Sequence, residues 1–285
     1  MERIVMSDSA HAKHGFIPFN QLEPVFFEVV LAPIHDAAGK LIPGYNSVRR
    51  LDTGDTLAVH SDKYSLVPYQ THFDAFEKAI QDSRLQWQTM EVKTDMADNG
   101  AKCFRQYLFP AHMVDLDAGP RGIRKIALSI MMTDSYDGST RFQGRCGAYD
   151  FICMNGIISG KTIDAVGFKH TGRMEIKIEN AAQQLTEAAD RFLDTVGRYA
   201  RWPSIELKPI EFSELVADMP QSNPRLVDQL TAQFSRNEGR TLWDAFDLLT
   251  TWSTHEIPVK TQADRQKRVA ALVEGDLWVG LERVG

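Results

Sequence analysis

An α+β fold is predicted by three features of this 285-residue sequence. The first half alternates short apolar runs with turn dipeptides, the pattern of antiparallel hairpins. From Glu175 to Trp202 the apolar residues recur at helical instead of strand spacing. Beyond Pro203, which cannot continue a helical hydrogen-bond ladder, the remaining periodic segments also read as helices. The expected architecture is a twisted, mainly antiparallel sheet of β-hairpins with a long helix packed across it, followed by a helical C-terminal lobe.

Residues 1–22 show no sustained period and are expected as an extended arm, ahead of a core domain over 23–203 and the lobe over 204–285. Val25–Leu31 is a short apolar run. Tyr45–Leu51 and Thr56–Val59 flank the turn-forming Asp52-Thr-Gly-Asp55, which predicts a first hairpin. Thr71 is placed to cap a helix in which Phe73, Phe76, Ala79 and Ile80 share a face. Leu85–Thr94 and Lys102–Phe109 form a second hairpin around Asn99-Gly100, a pair suited to positive backbone angles. Arg124–Thr133 and Thr140–Cys153 form a third around Asp137-Gly138, and Asn155-Gly156 closes the β region.

The long helix carries Ile176, Ile178, Ala182, Leu185, Ala189, Phe192, Leu193, Val196 and Tyr199 as its apolar stripe. In the lobe, helices are expected over Ser213–Ala217, Pro224–Phe234, Thr241–Ser253 and Gln262–Glu274. Asn223 is the natural cap for the second, with Pro224 in its first turn. Trp243, Phe246, Leu249 and Trp252 read as one buried face.

A hydrophobic content of 43% and a charged content of 25% describe an ordinary globular chain, neither disordered nor fibrous. No apolar run approaches the ~18 residues of a spanning helix, and the first thirty residues lack a secretory signal pattern. A cytoplasmic protein with no membrane partner is expected. Cys103, Cys146 and Cys153 contain no CxxC pair, which argues against a disulfide scaffold and a zinc ribbon. The net charge of −6 disfavours nucleic acid as a partner, but its distribution is uneven. Residues 101–180 hold eleven Lys or Arg against eight Asp or Glu, whereas the remainder holds 21 against 30.

No HExxH, Walker glycine loop, GxSxG elbow or paired zinc motif occurs, and the eight histidines show no ligand spacing. Asp134, Asp137 and Asp150 lie close in sequence and keep open a divalent-metal nuclease, although a turn accounts for Asp137 more simply. No catalytic residue, cofactor or resident metal is assigned.

Several motifs together carry a family resemblance. They are the Ser61-Asp-Lys-Tyr-Ser-Leu-Val-Pro68 run, the Ser135-Tyr-Asp-Gly-Ser139 turn, Cys153-Met-Asn-Gly156, and Lys169-His-Thr171 ahead of the long helix. Arg240-Thr-Leu-Trp-Asp-Ala-Phe246 and Thr254-His255 complete the set. Over most of residues 45–256 the chain resembles a family of phage and plasmid proteins catalogued as a domain of unknown function, number 932. In many relatives the first turn reads Ser-His-Asp-Gly-Ser, and Tyr136 stands at that histidine here.

The hairpins followed by a long helix also resemble, at the level of fold, phage single-strand annealing proteins. That resemblance implies a homo-oligomer, ring or filament, holding single-stranded DNA in a basic groove without a cofactor. A phage or host replication protein is a further expected partner. The groups placed to meet phosphate are Arg141 and Arg145, four residues apart on one strand, with Lys161, Lys169, His170 and Arg173 between sheet and helix. Tyr136, Phe142 and Tyr149 could stack on bases and serve equally as core residues. A regulatory protein that binds another protein through its helical lobe is the alternative from a different class.

Overall fold

Alternating sequence in the first half and helical sequence in the last third produce the α+β class that was expected. The computed structural model describes residues 15–117, 122–150, 155–157, 165–168, 180, 183–184, 187, 197–237, 239–255 and 258–284. The chain divides into two compact units that interleave along the sequence. One comprises Met1–Tyr107, Ile130–Arg145 and Asp164–Glu187; the other comprises Leu108–Ser129, Cys146–Ile163 and Ala188–Gly285.

Two sheets are present among the described residues. The smaller is a meander of β2 (Val29–His35), β3 (Leu41–Arg50) and β4 (Thr56–Ser61), antiparallel, with Val48 opposite both Leu31 and Ala58. Val48 is fully buried, whereas Tyr45 and Val59 are exposed. The Val25–Leu31 run becomes strand only from Val29. Ahead of it, Phe26 stacks on Phe73 at 5.2 Å and Phe27 lies 3.8 Å beneath the Arg50 guanidinium. These residues anchor the sheet by their rings.

The larger sheet contains β1 (Ile17–Pro18), β5 (Glu91–Ala97), β6 (Lys102–Asp117), β7 (Ile123–Ser135), β8 (Phe142–Asp150), β9 (Asn155–Ile157) and β10 (Ala165–Phe168). Its order is β1-β5-β6-β7-β8-β10, with β9 also on β8. Asn155-Gly156, expected to end the β region, is instead strand: Asn155 pairs with Asp150 and Gly156 with Tyr149. An Asn-Gly pair specifies a reversal only where both residues sit inside the turn, and here the ladder has already resumed at Asn155.

Helix α1 (Tyr69–Gln81) buries Phe73, Phe76 and Ile80 completely, as their spacing predicts. Each such side chain contributes roughly 1.5–3 kcal/mol on leaving water. The expected cap is wrong by three residues: Pro68, extended at φ −60° and ψ 145°, precedes the first turn, and Thr71 is exposed within it. The Tyr69 N–H that opens the helix donates to the Tyr136 hydroxyl at 2.9 Å. A distant side chain therefore supplies the cap that the local sequence lacks.

The other unit holds α2 (Pro209–Asp218), α3 (Pro224–Arg236), α4 (Leu242–Thr254), α5 (Val259–Val273) and α6 (Asp276–Val284). Asn223 caps α3 through the Leu226 N–H at 3.0 Å, and Thr241 with Asp244 forms a capping box on α4. Trp202, Trp243, Phe246 and Trp278 form its aromatic centre. Trp252 does not join them. Nine residues at about 100° each place it roughly half a turn from Trp243, so the proposed single face was too wide.

Of the long helix, residues 180, 183–184, 187 and 197–199 are helical, and the rest of that expectation lies outside the described residues. Arg198 donates to Glu282 from Nε at 2.6 and 2.9 Å and to Glu274 from Nη1 at 2.9 Å. Burial disfavours its charge, but Glu282 and Glu274 outweigh that and raise its pKa. No helix among the described residues is long and apolar enough to cross a membrane.

Candidate nucleic-acid interface

The Ser-Tyr-Asp-Gly-Ser motif is a hairpin closure. The Ser135 hydroxyl donates to the Thr140 carbonyl at 2.7 Å and accepts from the Thr140 N–H at 3.0 Å, sealing the neck of the turn. Asp137 Oδ1 accepts from the Ser139 N–H at 2.8 Å, and Gly138 takes φ +70°. A side chain at Gly138 would be strained by that angle and would press on the His60 ring at 3.2 Å. Partial burial tends to raise the Asp137 pKa, but Ser139, Ser135 and Lys102 together hold it below the ordinary aspartate range.

Tyr136 points inward. It is fully buried, its ring stacks on Tyr69 at 3.9 Å, and its N–H donates to the Ala101 carbonyl at 2.8 Å. His60 Nε2 meets its carbonyl at 2.6 Å, which places the proton on that nitrogen. Burial pushes the Tyr136 hydroxyl well above its usual pKa. Phe142 is buried too, against His72 at 4.9 Å. Neither ring is open to a base, contrary to the stacking role considered for them; the Tyr149 ring lies outside the described residues.

Behind the turn stands a pair that sequence reasoning missed. His72 Nδ1 meets Asp134 Oδ2 at 2.6 Å with both side chains fully buried, and Asp134 Oδ1 accepts from the Ser135 N–H at 2.8 Å. The residues are 62 positions apart, so no local spacing reports them. The one available signal was a histidine beside Phe73 on the apolar face of α1. Asp134 is thereby directed at His72 and Ser135, and Asp137 at Ser139 and Lys102. Among the described residues no group of three or more His, Cys, Asp or Glu could hold a metal ion.

Arg141 and Arg145 differ in setting. Arg141 is exposed and precedes β8, which starts at Phe142, so strand alternation does not align the two as expected. Arg145 lies within β8 opposite Ala165 and is partly buried. Among the described residues its enclosed Nε has no hydrogen-bond partner and neither arginine has an ion pair. Burial, then the neighbouring charge of Arg141, lowers the Arg145 pKa. Their charges are therefore mutually felt although the strand does not hold both. Lys161, Lys169, His170 and Arg173 lie outside the described residues.

A second arginine of the same unit shows the opposite arrangement. Arg105 gives Glu77 Oε1 two hydrogen bonds, from Nε at 3.1 Å and Nη2 at 2.8 Å, and gives Thr94 Oγ1 a third at 2.7 Å. Burial opposes its charge, but Tyr107 and Glu77 outweigh that and raise its pKa.

A family model described as a domain of unknown function, DUF932, matches residues 56–273. No curated protein and no solved structure gives a significant match.

Proposed function

The chain belongs to the DUF932 family, and from that premise we propose sequence-independent binding and annealing of single-stranded DNA by a homo-oligomer. The observation that carries this reading is Arg145: a partly buried guanidinium with an unpartnered Nε, a second cation beside it and no carboxylate facing it among the described residues. Holding a cation away from water without compensation is costly, and a bound anion removes that cost. Backbone phosphate is the anion that two adjacent guanidinium groups fit, through paired N–H donors. Contacts confined to phosphate carry no sequence information, which makes the binding independent of sequence.

The buried Tyr136 and Phe142 contribute to this reading by exclusion. With those rings committed to the core, affinity rests on charge, and bases remain free to pair with a second strand. The excess of basic residues over 101–180 supports the same location. Pairing energy drives annealing, so the protein's part is alignment and neutralisation, and a phage or plasmid recombination role follows from that activity.

Titration of labelled single-stranded oligonucleotide at several salt concentrations, beside a measurement of particle size, tests the proposal. Binding is expected to weaken with salt, and Arg141→Ala with Arg145→Ala is expected to weaken it roughly tenfold or more, given charge-assisted bonds of ~1.5–3 kcal/mol. Complementary strands should pair faster with the protein than without it. No binding at low salt overturns the proposal.

A further inference from the structure

The helical lobe contains an open cleft of about 740 Å³ with a composition unlike that of a protein core. One wall comes from α3, where Gln229, Gln233 and Arg236 follow at helical spacing, and Asn237 continues it. The last two turns of α4 also line it, with Trp252 as the aromatic member. Arg265 from α5 lines it as well. Among the described lining residues there are two arginines and no carboxylate.

The cations are fixed around the indole. The Arg265 guanidinium lies 4.6 Å from the Trp252 ring centre and that of Arg268 lies 5.0 Å from it. Arg265 Nη1 donates to the Trp252 carbonyl at 2.9 Å, satisfying one of the orphan acceptors at the end of α4. Arg268 is held by the carbonyls of Pro220 at 2.7 Å and Gln221 at 3.2 Å. Neutral carbonyls and a ring face thus orient both groups. Among the described residues, Arg236, Arg265 and Arg268 make no ion pair, whereas the nearby Asp264 carboxylate lies against Lys267. Burial and the Arg265 charge lower the Arg268 pKa, the same condition that marks Arg145 in the other unit.

A ligand for this cleft must bring negative charge, since the cations lack it, and must exceed inorganic phosphate in size, since the volume falls in the range of whole small-molecule sites, roughly 300–1,000 Å³. Three side-chain amides offer both donors and acceptors, the complement of a heterocycle's edge, and the partly exposed indole offers a flat apolar surface. We propose that the cleft binds a nucleoside phosphate, its phosphate held by Arg236 and Arg265 and its base received by Trp252 and the Gln229, Gln233 and Asn237 amides. The ligand is a free mononucleotide or the phosphorylated end of a strand, and the inference stands whether or not Arg141 and Arg145 bind DNA.

The test uses the full chain carrying Arg141→Ala and Arg145→Ala, so that only the lobe is read. Fluorescent N-methylanthraniloyl-dATP is titrated into it and competed with dATP, deoxyadenosine and inorganic phosphate. Saturable binding is expected, with deoxyadenosine and phosphate each at least about tenfold weaker competitors than dATP, the loss of a charged contact or of the base contacts. Arg236→Gln should weaken binding about fivefold or more without unfolding the lobe, because Arg236 is exposed and makes no bond among the described residues. Competition by dATP identifies the free nucleotide; binding of only a 5′-phosphorylated oligonucleotide identifies the strand end. Unchanged affinity in Arg236→Gln, equal competition by deoxyadenosine, or preference for a glutamate-rich peptide overturns the proposal. So does the absence of saturation at about 1 mM of either probe.

Discussion

Arg105 and Arg145 belong to the same unit and are both drawn away from water, yet their surroundings are opposite. Arg105 faces Glu77, Tyr107 and Thr94 and is held in its charged form. Arg145 has an Nε without a partner among the described residues, a neighbouring arginine and a lowered pKa. The helical lobe repeats the contrast: Arg198 is clasped by Glu274 and Glu282, while among the described residues Arg268 meets carbonyls and an indole beside Arg265 and no carboxylate. A cation with its counter-charge supplied by the chain holds the fold together. A cation without one among the described residues, such as Arg145, gains no such compensation from the chain.

The largest effect should come from breaking a complete set. Glu77→Ala leaves Arg105 buried and uncompensated, and a loss of about 3–5 kcal/mol is expected in urea denaturation. Arg145→Met, which removes a partly buried charge and keeps the aliphatic stem, should leave stability within about 1 kcal/mol or raise it. Equal losses from the two variants would erase the distinction.

An intermediate effect is expected at the Tyr136 cap. Tyr136→Phe deprives the Tyr69 N–H of its acceptor and should cost about 1–2 kcal/mol, seen as a lower denaturation midpoint with an unchanged slope. If the variant also abolished DNA binding while stability held, the turn itself would be the binding group and the arginines its bystanders.

The smallest effect concerns Asp137, the carboxylate nearest in sequence to the arginine pair. Its pKa is lowered in the folded state, so its contribution is present above the unfolded value of about 3.9 and is lost as pH falls through the folded value below it. Arg145→Ala should leave the Asp137 titration, followed by NMR, where it is in the unmutated chain. An upward shift would reveal Asp137 as a counter-charge to Arg145.

Much of the fold is legible in the sequence because its determinants are local. The apolar stripe of α1, the Asn223 cap, the Asp52–Asp55 turn and the Asp137-Gly138 turn are each specified within a few residues. What the sequence conceals depends on distance. Pro68 precedes α1, and the Tyr69 N–H that follows it is received by Tyr136, far along the chain. Trp252 left the predicted core because helical phase accumulates over nine residues. In the candidate site, the expectation for Arg141 and Arg145 came from their place after the Asp137-Gly138 turn, whereas their surroundings, without an ion pair among the described residues, are a three-dimensional property. The His72–Asp134 pair and the completeness of the Arg105 network were hidden for the same reason.

The most direct measurement is the dependence of single-strand affinity on salt, compared between the unmutated chain and Arg141→Ala with Arg145→Ala. Each neutralised phosphate contributes about −0.7 to the slope of log affinity against log salt, so two contacts should separate the two proteins by about 1.4. A shallower slope in the variant, by that amount, is the expected result. Identical slopes, or no affinity in either protein at low salt, would contradict the account.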